Sequence, residues 1–100
     1  MKEAITVAKQ KITEAAEVIC QGKKQEGYAK IDEVLVSLIN LNQKIEAALM
    51  SGAISDYDES IFIGILTEAM KALEAKDMVL LSDILQYDML EEIEALEQRV

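Results

Sequence analysis

Apolar residues recur at intervals of three and four at the start of the chain. The line consists of Ile5, Ala8, Ile12, Ala15 and Ile19. This spacing is typical of an amphipathic helix with one buried face. Gly22 follows in the position of a left-handed helix cap. The pattern therefore predicts a first helix over residues 2–21.

A second line predicts a longer helix over residues 24–50. It consists of Ile31, Leu35, Leu38, Ile45 and Leu49. Val36 stands alone on the opposite, polar face of this helix. Gly27 falls in the first turn, so a later start for the helix remains an alternative.

The segment from Met50 to Asp56 reads as a polar loop that ends in a helix cap, either Ser55 or Asp56. A third helix is then expected to run to about residue 75. Its apolar line consists of Ile61, Ile65, Ala69 and Ala72, widened by Phe62, Leu66 and Leu73.

No glycine or proline separates the third helix from a fourth, so their continuity is judged by phase. The later apolar line consists of Met78, Leu81, Leu85, Met89, Leu96 and Val100. It lies about half a turn away from the line centred on Ile65. We therefore expect a break at Lys76 and Asp77, with Asp77 capping helix four. The alternative is one continuous helix whose second line is covered by a partner.

Four helices joined by short loops predict an all-α protein, arranged as an antiparallel four-helix up-down bundle. At 100 residues the chain has the usual size of one domain, so residues 1–100 are expected to share a single core. No repeat, linker or low-complexity tract interrupts the pattern.

The chain is acidic, with 10 Lys and Arg against 19 Asp and Glu. Its first 30 residues carry a net charge of +2 and the other 70 carry −11. We therefore expect the first helix to complement an acidic end of the molecule, which holds Glu91, Glu92, Glu94 and Glu97. The overall charge disfavours nucleic acid as a partner.

The chain has one cysteine, no signal-peptide pattern and no apolar run long enough to cross a membrane. These features predict a cytoplasmic protein without a membrane partner. Cys20 is expected to be a small buried apolar residue. No histidine is present to activate it as a nucleophile, so no catalytic residue is assigned and the protein is not expected to be an enzyme.

Metal and cofactor sites are not predicted either. Glu14 and Glu17, and the series Glu91, Glu94 and Glu97, have a spacing that occurs in metal-binding bundles. Such sites normally add a histidine three residues after a glutamate. Residues 56–60 resemble the start of a calcium loop but lack its glycine and its final glutamate. No glycine-rich phosphate loop is present.

Helices three and four carry more apolar residues than their core lines need. In helix four, Val79 and Leu90 share one azimuth opposite the Leu85 line, with Leu80 and Tyr87 nearby. In helix three, Ile63 and Met70 lie away from the main line. We call these six residues the apolar strip. The strip is the candidate partner-binding site, although broad-faced helices can also bury such residues in a tight bundle.

Two segments resemble known families: Lys76 to Met89, and Gln21 to Tyr28. They look like an uncharacterised family of small acidic helical proteins from Gram-positive bacteria, and this resemblance implies no activity. The helix order, the turn at Gly22 and the break at Asp77 more loosely resemble flagellin-export chaperones. That layout implies a small helical bundle that holds helical segments of a partner.

Two functions are therefore expected. In the first, the protein is a non-enzymatic cytoplasmic binding module, an adaptor or a chaperone-like protein that binds an amphipathic helix of a protein partner across the apolar strip. In the second, it is a homo-oligomeric structural protein that covers the strip with its own copy, for instance as a homodimer.

Overall fold

A computed structural model describes residues 1–100 and contains only helices and connecting turns. The helices are α1 (Lys2–Cys20), α2 (Lys24–Ser51), α3 (Glu59–Glu74) and α4, which comprises the consecutive segments Met78–Asp83, Ile84–Met89 and Leu90–Glu97. The prediction of an all-α protein with four helices is confirmed.

The connection between α1 and α2 is a tight turn. Gly22 has a φ of +74°, and its N–H donates to the carbonyl of Ile19 at 3.0 Å. Glycine adopts this left-handed conformation without a Cβ penalty, which explains why α1 ends here as predicted.

Helix α2 begins at Lys24, so Gly27 does not delay its start. Gly27 matters instead for how closely the helices pack. A Cβ at this position would lie 3.3 Å from Cγ1 of Ile19 and 3.7 Å from the terminal methyl of Met78. The distance to Met78 is an ordinary contact, so the absence of a Cβ matters for the close approach of α2 to Ile19 at the end of α1.

The start of α3 differs from the prediction. Asp58, and neither Ser55 nor Asp56, caps the helix, and its carboxylate accepts a hydrogen bond from the Ser60 N–H at 3.0 Å. Asp56 has a φ of +55° and Tyr57 is buried, so the loop continues for two residues past Asp56. The predicted apolar line is also shifted: Phe62, Leu66, Ala69 and Ala72 are buried, and Ile61 is exposed.

The break between α3 and α4 lies at Lys76 and Asp77, as the phase of the two apolar lines predicted. Lys76 has a φ of +58°, and the Asp77 carboxylate accepts a hydrogen bond from the Leu80 N–H at 3.1 Å. The continuous-helix alternative is therefore wrong. Leu81, Leu85, Met89 and Leu96 of the predicted line are buried, whereas Val100 lies beyond the helix and is exposed.

The first helix pairs by charge with two others. Lys11 lies 2.8 Å from Glu33 of α2, and Lys9 lies 3.1 Å from Glu97 of α4. The expected charge complementarity with the acidic end is thus confirmed for Glu97. Cys20 is exposed, contrary to expectation.

Candidate partner-binding surface

The middle segment of α4 is a π-helix, Ile84–Met89. Its sequence explains it: Leu81, Leu85, Met89 and Ile93 are all buried and all four residues apart. On a regular α-helix, each step of four turns about 40° past a full circle, so three steps would carry Ile93 away from the core. A π segment has wider turns and absorbs this drift. Both halves of α4 therefore face the same core.

Three apolar side chains project from the outside of α4. The exposed fractions are 72% for Val79, 48% for Leu80 and 65% for Tyr87. Ile63 and Met70 of α3 are exposed as well. Five of the six residues of the apolar strip therefore lie at the surface, as the phase analysis predicted.

Leu90 is different, and its predicted position beside Val79 on the outer face is wrong. It is half-buried and packs against the core. It also lines a cleft of about 390 Å³ between α1 and α4, together with Thr13, Ala16, Glu17, Cys20, Gln86 and Tyr87. The phase analysis assumed 100° per residue throughout, and the π segment rotates Leu90 relative to Val79.

The second half of the outer face is acidic. After Tyr87, the exposed residues up to Glu94 are Asp88, Glu91 and Glu94. None of these carboxylates, nor that of Asp83, has a basic group within 4.0 Å. We call the outer residues the α4 face: Val79, Leu80, Asp83, Tyr87, Asp88, Glu91 and Glu94.

A larger groove lies between α1 and α2 and was missed in the sequence. It has a volume of about 840 Å³, and its apolar lining includes Val7 and Val36. Charges of both signs surround it, but Lys11 and Glu33 neutralise each other across it. The available signal was weak, because Val7 and Val36 are single residues outside the apolar lines.

Polar groups collect beside the loop that precedes α3. The Tyr57 hydroxyl is buried without a hydrogen-bond partner, and the Arg99 guanidinium lies 5.8 Å from the centre of its ring. Burial and the nearby Glu92 carboxylate raise the pKa of Tyr57. Burial, together with Glu46, also raises the pKa of Glu59, and one Glu59 oxygen is buried without a partner.

No three or more Cys, Asp or Glu side chains converge on a point where a metal ion could be held. No helix is both long enough and apolar enough to span a bilayer.

Comparison with known proteins places the chain in a family. A model described as Domain of unknown function (DUF8042) matches residues 1–99. The chain belongs to this family. The match includes all four helices and the whole α4 face, and it agrees with the expected resemblance to an uncharacterised family. Comparison with curated proteins finds no match, and comparison with solved structures finds none either.

Proposed function

We propose that the protein is a non-enzymatic binding module that holds an amphipathic helix of a protein partner on the α4 face, together with the exposed Ile63 and Met70 of α3. One observation carries the proposal. Eleven large apolar side chains are exposed in the chain, and six of them lie in α3 and α4. Apolar side chains concentrated among acidic residues are typical of a surface that a partner helix covers.

The proposed arrangement is an antiparallel up-down bundle. The contacts between α1 and α2 support it, since Lys11 pairs with Glu33 while the later Glu14 pairs with the earlier Lys30. Contacts between α1 and α4 follow the same rule. Lys9, early in α1, pairs with Glu97 at the end of α4. Cys20, at the end of α1, lines the same cleft as Gln86, which comes earlier in α4. In this arrangement the α4 face points away from the bundle core.

The role we propose is that of a cytoplasmic adaptor or export-chaperone-like protein. The loose resemblance in layout to flagellin-export chaperones supports it. The residue inventory also favours binding over catalysis. The chain has no histidine to activate its single cysteine.

The test compares two apolar sites of similar exposure. Val79→Asp combined with Tyr87→Asp alters the α4 face, and Val36→Asp alters the groove between α1 and α2, where Val36 is 68% exposed. The probe is a fluorescent synthetic helix of about 18 residues, long enough for five turns, with leucines along one side. Binding is measured by fluorescence anisotropy.

We expect Val36→Asp to bind the probe as the wild type does, and the double variant to bind it about tenfold or more weakly. Equal affinities for all three proteins, or no binding to the wild type, would overturn the proposal. Light scattering across a concentration range tests the alternative. A dimer that the double variant dissociates would show that the face is covered by a second copy instead.

A further inference from the structure

The α4 face has an uneven distribution of charge. Its apolar side chains, Val79, Leu80 and Tyr87, all precede its last three carboxylates, Asp88, Glu91 and Glu94. Helix α4 contains no lysine or arginine over residues 78–97. Its one ion pair with another helix, between Lys9 and Glu97, leaves these three carboxylates uncompensated.

Two of these carboxylates are also unfavourable for the helix that carries them. Glu94 lies in the last turn of α4, where negative charge opposes the helix dipole. Like charges three residues apart, as in Glu91 and Glu94, repel each other along the helix surface. The free protein therefore presents a patch of negative charge that its own structure does not neutralise.

On this basis we infer that the partner helix is basic. The inference rests on the proposed function and specifies its ligand: an amphipathic helix with an apolar segment against Val79, Leu80 and Tyr87, followed by lysines or arginines against the carboxylates. Complementary charge of this kind accelerates association and selects against wrong partners. The uneven charge also fixes the direction of the partner helix, because its apolar half must contact the apolar end of the α4 face and its basic half must contact the carboxylates.

A second copy of the α4 face does not meet these requirements. In a parallel pairing, the carboxylates of one copy would lie against those of the other, which is repulsive. In an antiparallel pairing about Tyr87, Glu94 would lie against Leu80 of the other copy, and Glu91 would lie against Asp83. The carboxylates would then lose water without gaining a partner, which is costly. Either geometry disfavours self-association through this face.

The first arm of the experiment varies the charge of the probe. Three synthetic helices carry identical leucines and differ only in their other positions, which are lysine, glutamine or glutamate. We expect the lysine helix to bind the wild-type protein about tenfold more tightly than the glutamine helix at low salt. The advantage should shrink as salt approaches about 1 M, where screening is strong. The glutamate helix should bind weakest.

The second arm varies the charge of the protein. Neutralising the face with Asp88→Asn, Glu91→Gln and Glu94→Gln should remove most of the lysine helix's advantage. The binding of the glutamine helix should change less than twofold, since its contacts are apolar.

A matched control keeps the same net charge. Glu3→Gln, Glu26→Gln and Asp32→Asn neutralise three exposed carboxylates on α1 and α2. This control should retain the full advantage of the lysine helix. Equal losses in both triple variants would show that the overall charge attracts the probe, and would overturn the inference.

The remaining outcomes separate the two proposals. If all three helices bind equally well and the Val79 and Tyr87 variant binds none, the α4 face is a docking site without charge selection. The proposed function then stands and the inference fails. If the glutamine helix binds the Val79 and Tyr87 variant as tightly as the wild type, both fail. A concentration-dependent dimer that the Asp88, Glu91 and Glu94 variant strengthens would replace the basic partner with a second copy.

Discussion

The Nζ atom of Lys9 lies 3.1 Å from Oε1 of Glu97, so that the first and last helices are joined across 88 positions of sequence. The two side chains are 34% and 45% exposed. Their pairing neutralises the last carboxylate of α4 and leaves Glu91 and Glu94 without a basic neighbour.

Because both partners are substantially exposed, the pair should add little stability. We expect a double-mutant cycle with Lys9→Ala and Glu97→Gln to give a coupling free energy of about 0.2 to 1 kcal/mol. The coupling should fall as salt is added, because exposed charges are screened. Urea unfolding of the four proteins measures it. A coupling above about 2 kcal/mol, or one insensitive to salt, would contradict this assessment.

Core truncation in α2 should be costly. Leu38 is fully buried, and Leu38→Ala should lower the free energy of unfolding by about 2 to 5 kcal/mol, since it removes buried surface and leaves a cavity. Val36→Ala, on the exposed side of the same helix, should change it by less than about 0.5 kcal/mol. Chemical denaturation compares them. Similar losses at both sites would mean that the face assigned to the core is wrong.

Leu90 and Val79 should respond differently to the same change. Leu90→Asp places a carboxylate in the cleft beside α1, where it is partly dehydrated, and should lower the melting temperature clearly. Val79→Asp changes a residue that is mostly in water and should leave the melting temperature nearly unchanged. Thermal unfolding followed by circular dichroism decides between them. A stable Leu90→Asp protein would restore Leu90 to the outer face.

Glu59 should make the protein less stable as pH rises. Burial and Glu46 raise the pKa of Glu59 above its ordinary value of 4.5, so the folded state binds this proton more tightly than the unfolded state. The associated stability is present below the ordinary value and is lost as pH rises through the raised pKa. Glu59→Gln should therefore be more stable than the wild type at neutral pH.

Urea unfolding of both proteins is measured from about pH 4 to 7, and the quantity compared is the difference between their free energies of unfolding. Glu33 and Asp58, whose pKa values are lowered by Lys11 and Ser60, titrate in both proteins and cancel. The difference should shrink toward low pH. A difference that grows as pH falls would contradict the assigned direction.

Local signals account for the parts of the fold that the sequence predicted well. Gly22 ends α1 because it adopts a left-handed conformation, and Asp77 caps α4 because its side chain accepts a backbone hydrogen bond. Both effects depend on residues close in sequence. The exposure of Val79, Leu80 and Tyr87 followed from phase alone, since all three precede or lie within the π segment.

The predictions that were wrong or missing concern features that depend on contacts between different helices and loops. The loop before α3 continues past Asp56 because Tyr57 is buried against other elements. Leu90 was misplaced because regular winding was assumed through Ile84–Met89. The groove between α1 and α2 depends on how two helices meet, which no single helical pattern records.

The wide turn at Ile84–Met89 also makes α4 tolerant of a change in length that its composition does not reveal. Deleting one residue here would bring Ile93 one position closer to Leu81, and a regular α-helix would then complete about three full turns between them. Ile93 and Leu96 would therefore stay on the core side after the segment returned to regular winding. Among relatives of similar composition, loss of one codon in this turn would therefore preserve the core and alter only the turn itself, where Tyr87 reaches the surface.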